Sequence, residues 1–76
     1  MAADDELLDL RGLKCPLPAL RTRKRLATLA PGSLLVVEAT DPMSAIDIPN
    51  MVRETGDAME AAERDEAVLR FRIRKA

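Results

Sequence analysis

The 76-residue chain has no histidine, no tryptophan, no tyrosine and a single cysteine, Cys15. Without histidine there is no Cys–His nucleophile–base pair, which argues against cysteine-protease chemistry. One cysteine without histidine also lacks the ligands of an ordinary tetrahedral zinc site, and we expect neither a metal nor a cofactor. A lone cysteine forms no internal disulfide and no Cys-x-x-Cys redox pair, so no oxidising compartment is implied.

Other absences concern nucleotides, membranes and nucleic acids. The three glycines are isolated from one another, so the chain has no glycine-rich phosphate-binding loop. No apolar run is long enough to cross a membrane, and the acidic start MAADDELLDL is unlike a signal peptide. We therefore expect a cytoplasmic protein without a membrane partner. The single aromatic residue, Phe71, and the net charge of -1 argue against stable nucleic-acid binding.

The length is that of one small domain with a thin core, which aliphatic residues must fill. We expect this domain to span 1–76, with 1–5 as a disordered lead. Charge is unevenly distributed, because Arg11, Lys14 and the segment RTRKR at 21–25 have no acid among them, whereas the segment from Glu38 to Glu66 is mainly acidic. This indicates a basic end and an acidic end, each either a solvated surface or a partner-binding patch.

Apolar periodicity predicts the order strand, helix, strand, helix, strand, strand. The predicted ranges are 6–11, 16–30, 34–37, 44 or 47 to 55, 57–64 and 68–74. The last strand alternates strictly, with its arginines on one face, and needs a hairpin neighbour, which is why 57–64 is assigned as a strand. A right-handed helical crossover then joins the first two strands. The result is an α+β two-layer sandwich, βαβαββ, in which both helices cover one face of a mixed four-stranded sheet.

The two helices carry further expectations. In the first, an apolar stripe is expected from Leu20, Ala27 and Ala30, together with Ala19 and Leu26. In the second, Ser44 and Asp47 resemble an N-capping pair, and Pro49 argues against a regular helix throughout. Either Asp47 is the N-cap and Pro49 lies in the first turn, or the helix opens at Ser44 and bends. Gly56 suits the end of this helix.

The segment GLKCPLPAL places the single thiol at the start of the first helix. If Cys15 is the N-cap, Pro16 lies at the first helical position and Pro18 at the third, and both are tolerated there. The N–H groups of Leu17 and Ala19 would then be free to face an anion near the sulfur. The positive helix end, with Lys14 and Arg21, would favour a thiolate or a persulfide anion and make a general base unnecessary.

A structural role for this cysteine is the alternative. Unpaired cysteine is often buried and behaves as a small apolar residue. The flanking Lys14 and Pro16, at a helix start and outside any apolar stripe, favour a reactive thiol instead.

Residues 10–18, LRGLKCPLP, resemble the Cys-Pro-x-Pro signature of the TusA/SirA family of sulfur-carrier proteins. The likeness covers nearly the whole chain, from about Leu8 to Lys75. Its later segments are Arg23-Lys24, Pro31-Gly32, Thr40-Asp41-Pro42, Asp47-Ile48-Pro49, Thr55-Gly56 and Ile73-Arg74-Lys75. The resemblance implies a βαβαββ two-layer sandwich similar to the C-terminal domain of a bacterial translation initiation factor, with Pro49 at the start of the second helix.

The resemblance also implies a function. Members accept a sulfane sulfur as a persulfide on the signature cysteine and pass it to a protein partner, as sulfurtransferase-type carriers that turn over only with their partners. The usual donor is a cysteine desulfurase or a rhodanese-type enzyme. Destinations include tRNA 2-thiolation, molybdenum cofactor synthesis and oxidative sulfur metabolism.

Carried onto this chain, the resemblance makes Cys15 the sulfur-bearing residue. Gly12, Pro16 and Pro18 would shape its turn. The candidates for persulfide stabilisation or partner docking are Lys14, Arg21, Arg23 and Lys24. Some relatives have a second cysteine in the second helix, where this chain reads Asn50-Met51-Val52-Arg53. Transfer must therefore be intermolecular, and we expect a monomer in isolation.

Two other functions stay open from the sequence. One is a non-catalytic interaction or regulatory module that docks through its basic helix, with an incidental thiol. An RNA-binding role is the third interpretation, because the similar initiation-factor domain contacts RNA, but the net charge of -1 and the lack of stacking aromatics argue against it.

Overall fold

A computed structural model describes residues 5–76. Its elements, in chain order, are β1 (Asp5–Leu10), α1 (Leu17–Leu26), β2 (Leu34–Ala39), α2 (Ser44–Thr55), β3 (Ala58–Asp65) and β4 (Val68–Arg74). The predicted order of strands and helices is confirmed, including the strand assigned to 57–64. Of the predicted disordered lead, residues 1–4 lie outside the described residues, whereas Asp5 already belongs to β1.

The four strands form one mixed sheet in the order β1-β2-β4-β3. β1 and β2 are parallel, and the pairs β2–β4 and β4–β3 are antiparallel. A parallel pair needs a crossover between its strands, which α1 provides. Because Leu10 and Ala39 pair at the carboxyl ends of β1 and β2, the loops that follow these strands begin at the same edge of the sheet.

The core lies on one face of the sheet. Alternate residues of the two central strands, Leu35 and Val37 in β2 and Phe71 and Ile73 in β4, are buried. They join the buried residues of both helices in one cluster, which also contains Leu10, Leu26, Ile48, Met51, Val52 and Leu69. The predicted arrangement of both helices on one face of the sheet is confirmed.

The opposite face of the sheet is open and charged. Arg70 of β4 pairs with Glu38 of β2 at 2.8 Å, and Arg74 of β4 pairs with Glu60 of β3 at 2.9 Å. Several acids of the acidic segment therefore alternate with arginines on this face instead of forming an acidic surface there. Such partly exposed pairs add little stability.

Helix α1 is shorter than predicted, and its buried side differs. Pro16 is the N-cap, and the helix ends at Leu26, before Ala27 and Ala30. The buried stripe consists of Pro18, Thr22 and Leu26, which are spaced four residues apart. Thr22 tolerates burial because its hydroxyl donates to the Pro18 carbonyl at 2.7 Å. The predicted stripe was therefore right for Leu26, which is buried, and for Ala19, which packs against the core. It was wrong for Leu20, which is 56% exposed, and for Ala27 and Ala30, which lie beyond the end of the helix.

Helix α2 opens at Ser44, as one of the two alternatives predicted, with Met43 as its N-cap. The predicted Ser44–Asp47 capping pair is not formed, since no side chain caps this helix. Pro49 lies inside the helix instead of at its start, which corrects the expectation drawn from the resemblance. Gly56 ends the helix in the left-handed conformation with φ 82°, as predicted.

Candidate functional site

Two loops meet at the carboxyl ends of β1 and β2 and hold Cys15 between them. The N–H of Gly12 donates to the Thr40 hydroxyl at 2.8 Å. The N–H of Cys15 donates to the Asp41 carboxylate, which also accepts the N–H of Met43 at 3.1 Å. These bonds fasten the loop after β1 to the loop after β2, so the position of the sulfur depends on both.

Gly12 shapes the first of these loops. Its φ of +86° lies in the left-handed region, which favours glycine. A Cβ at this position would meet nothing within 4 Å. The backbone conformation, and not a lack of space, therefore accounts for glycine here.

The Cys15 side chain is exposed, and its Sγ donates to Oδ2 of Asp47 at 2.9 Å. Asp47 lies in the first turn of α2, so this contact joins the segment before α1 to the start of α2. The hydrogen bond to Asp47 raises the pKa of the Cys15 thiol; desolvation and the negative charges of Asp47 and Asp41 raise it further. The prediction that the surroundings favour a thiolate was therefore wrong for this arrangement, because the nearest charges are acidic.

The two prolines that follow the thiol lie differently from the prediction. The Cys15–Pro16 peptide bond is cis. Pro16, and not Cys15, is the N-cap, and Pro18 is buried against the core side of α1. The N–H of Leu17 donates to the Lys14 carbonyl at 2.9 Å. The Leu17 N–H is therefore not free to bind an anion at the sulfur, contrary to the prediction from the sequence.

The four predicted basic residues, Lys14, Arg21, Arg23 and Lys24, are all exposed, and within residues 5–76 none forms a salt bridge. Lys14 lines a cleft with Gly12, Thr40 and Asp41, beside the thiol loop. Arg21 and Lys24 line a separate groove with Leu8 and Leu20. The four residues therefore do not share one cleft.

Lys14 also contributes to the charge balance beside the thiol. The pKa of the Asp41 carboxyl is lowered by the N–H donors of Cys15 and Met43, and further by the positive charge of Lys14. Asp41 is thus held as the anion that fastens the two loops together.

Asp41 and Asp47 are the site residues that sequence reasoning missed. The predicted ranges leave Asp41 between the second strand and the second helix, Asp47 was expected in a helix cap, and neither was connected with Cys15. The order of the elements held a signal for Asp41, because it follows a strand predicted to lie parallel to the strand before Cys15.

Large apolar side chains are exposed at the starts of both helices. Leu17 and Leu20 in α1 are 41% and 56% exposed, and Met43 and Ile46 at the start of α2 are 47% and 57% exposed. They lie within a few residues of Cys15 or Asp47 in the chain. Exposed apolar side chains of this size are typical of surfaces that bind other proteins.

Neither helix in residues 5–76 has the length and apolar character needed to cross a membrane. Over the same range, no group of three or more cysteine, aspartate or glutamate side chains is placed to hold a metal ion.

Comparison with known proteins gives a consistent result. The family model described as Sulfurtransferase TusA matches residues 6–75. The sulfur carrier protein TusA of Allochromatium vinosum is 38% identical over 76 residues, which is all of both chains. A putative sulfur carrier protein of Neisseria meningitidis serogroup A is 44% identical over 63 residues, covering 82% of this chain and 85% of that protein.

The fold has a similar counterpart among solved structures. The crystal structure of a SirA-like protein from Desulfitobacterium hafniense matches with a TM-score of 0.79 and 28% identity, over 91% of this chain and 95% of that one. The residues matched by the family model include Cys15, and the chain belongs to the TusA family of sulfur carrier proteins.

Proposed function

We propose that the protein carries sulfane sulfur, as a persulfide on Cys15, from a donor protein to an acceptor protein. The observation that carries this proposal is that the one thiol of a TusA-family chain is exposed on a loop fastened to its neighbour by hydrogen bonds. The relatives named as sulfur carrier proteins support it.

The chemistry requires one thiol on each partner. In loading, the Cys15 thiolate attacks the terminal sulfur of a persulfide on the donor. The bond from Sγ to that sulfur forms while the bond from that sulfur to the donor cysteine breaks, and the donor leaves as a thiolate with the electron pair. Discharge is the same displacement, with a thiolate of the acceptor as nucleophile. No external oxidant or reductant is consumed, and both steps are intermolecular because the chain has one cysteine.

The donor in this proposal is a cysteine desulfurase or a rhodanese-type enzyme. The acceptor belongs to tRNA 2-thiolation, molybdenum cofactor synthesis or sulfur oxidation. We assign Lys14, beside the thiol loop, to stabilising the persulfide anion, and the exposed cations of α1, Arg21, Arg23 and Lys24, to docking of a partner. Gly12, Pro16 and Pro18 shape the loop and the helix start that present the sulfur.

Mass spectrometry of the intact protein tests the proposal. The protein is incubated with a cysteine desulfurase and L-cysteine, or with a rhodanese and thiosulfate, and then weighed. We expect a gain of one sulfur atom, about 32 Da, which dithiothreitol removes. Cys15→Ala is the matched variant, and an equal gain in that variant would refute the assignment of the sulfur to Cys15.

The exposed apolar residues at the two helix starts favour a second candidate, an interaction module that does not need its thiol. Cys15→Ser separates the two. Unchanged partner capture together with unchanged sulfur delivery to the acceptor would favour the module, whereas unchanged capture with abolished delivery supports the carrier.

A further inference from the structure

The contacts of Cys15 tie its reactivity to a carboxylate on another element. Its Sγ donates to Asp47 at 2.9 Å, and its own N–H donates to Asp41, so two acidic side chains lie next to it. The positive charge of Lys14, on the same loop, acts on Asp41. In the free protein the sulfur is thus hydrogen-bonded to the Asp47 carboxylate.

We propose that Asp47 is a positioning residue that holds the proton on Cys15 in the free protein, and that a positively charged group of the partner releases the thiolate by engaging Asp47. This inference rests on the proposed function, because it assigns the control of the same thiol and the chemistry of the partner surface that meets it.

The direction of the effect follows from proton affinities. A carboxylic acid is ordinarily far more acidic than a thiol, so Asp47 is too weak a base to remove the proton from Sγ. It acts instead by hydrogen bonding to the neutral thiol and by repelling the thiolate, and both effects raise the pKa of Cys15. Since the thiolate is the nucleophile, the contact lowers the reactivity of the unoccupied carrier.

Release needs a charge that competes with the thiol for Asp47. A lysine or arginine of the partner that pairs with Asp47 would remove both effects, and the proton would pass from Sγ to water. The thiolate then attacks the donor's terminal sulfur as described above. The exposed Met43 and Ile46, which precede Asp47 at the start of α2, indicate that a partner can reach this surface.

The first test measures thiol reactivity without any sulfur transfer. Alkylation of Cys15 by iodoacetamide, which is uncharged, is followed from pH 6 to pH 10 in the wild type, Asp47→Asn and Asp47→Glu. Glu54→Gln is the control, because it removes one charge from an exposed position in the last turn of α2, at the opposite end of the helix from Asp47. Far-UV circular dichroism checks that each variant is folded.

We expect Asp47→Asn to move the alkylation profile to lower pH. If the midpoint falls by one pH unit, the thiolate fraction at neutral pH rises about tenfold and its intrinsic nucleophilicity falls about threefold, so the net rate rises about threefold. Asp47→Glu should remain close to the wild type, and Glu54→Gln should match it. An unchanged or higher midpoint in a folded Asp47→Asn would overturn the proposal.

The second test supplies a cation. A cysteine-free hexa-arginine peptide should accelerate alkylation of the wild type at pH 7 and leave Asp47→Asn unaffected. Equal acceleration of both, or of neither, would refute the role given to the partner's charge. Both tests measure the rate of Cys15 alkylation, so they do not depend on sulfur loading. If the proposed sulfur loading fails, the protein gains no mass from the donor, although Asp47→Asn still shifts the alkylation profile.

Discussion

Ile46 and Ile48 are the same residue type, two positions apart in α2, and the structure gives them opposite environments. Ile48 is fully buried, whereas Ile46 is 57% exposed. Two residues of a helix are separated by roughly 200° around its axis, which places their side chains on opposite sides. Truncating each to alanine therefore tests, within one helix, which side of α2 packs on the sheet.

The expected energies differ widely. Ile48→Ala removes three buried carbons and leaves a cavity beside the core cluster, a change that costs about 2–5 kcal/mol. A domain of this length is stable by only about 4–11 kcal/mol, so the variant would lose a large fraction of its stability. Taking about 3 kcal/mol, the melting temperature should fall by roughly 12–24 °C. Ile46→Ala should stay within about 0.5 kcal/mol of the wild type, since its side chain contributes little buried area.

The assay is urea unfolding followed by far-UV circular dichroism, because the chain has no tryptophan or tyrosine to report by fluorescence. The denaturant slopes of the three proteins should agree, so the midpoints compare stabilities directly. Equal losses in the two variants, or an Ile48→Ala free energy of unfolding within about 1 kcal/mol of the wild type, would refute the placement of α2 on the sheet.

Three further predictions concern the loops and the charges. Gly12→Ala should destabilise the protein by about 1–2 kcal/mol in the same urea assay, because φ is +86° there; an unchanged midpoint would contradict the left-handed conformation. Ser44→Ala should leave stability unchanged or raise it by up to about 1 kcal/mol, because the buried hydroxyl has no hydrogen-bond partner within residues 5–76, and a clear loss would reveal a partner. Hydrogen bonds from Arg11 lower the pKa of Asp9 from 3.8 to about 2. The stability that this ion pair contributes is thus present above pH 4 and is lost as the pH falls towards 2. Between these pH values the melting temperature of Asp9→Asn should therefore fall less than that of the wild type. Equal falls in the two proteins would exclude the pair as a cause of acid destabilisation.

Most of the fold could be predicted from the sequence because its signals are local. The strict alternation from Val68 to Arg74 fixes both the strand and the face that it buries. The segment Leu34-Leu35-Val36-Val37 is apolar throughout and includes β-branched residues, which predicts a strand, and β2 begins at Leu34. Gly56 ends α2 in a conformation that other residues adopt at a cost.

The helix details were not predictable in the same way. In α1 the choice of buried side depended on where the helix ends, and the buried Thr22 depends on a hydrogen bond to the Pro18 carbonyl that periodicity does not register. In α2 the spacing of Ser44 and Asp47 would resemble a capping pair even if the Asp47 carboxylate were hydrogen-bonded elsewhere in the fold. In the structure this carboxylate accepts a hydrogen bond from Cys15, and the Ser44 hydroxyl is buried without capping the helix.

The two missed acids differ in how far the sequence could have led to them. Asp41 follows β2, and the carboxyl ends of neighbouring parallel strands meet at one edge of a sheet, so its proximity to the loop of Cys15 was derivable from the predicted topology. Asp47 is different, because its contact depends on how α2 packs against the sheet and therefore on the whole core. No spacing in the chain encodes that packing.

The charge around the thiol shows why sequence neighbours are a poor guide to electrostatics. Along the chain, Cys15 lies beside Lys14 and shortly before Arg21, and both suggest a thiolate. In space, the groups bonded to it are Asp47 and Asp41, and a hydrogen-bonded carboxylate outweighs cations whose side chains extend into water. A carrier with one thiol is unloaded between one delivery and the next loading, and in that interval the thiol must resist other electrophiles. A proton held by a carboxylate, and given up when the donor's cation arrives, would meet this requirement without a histidine.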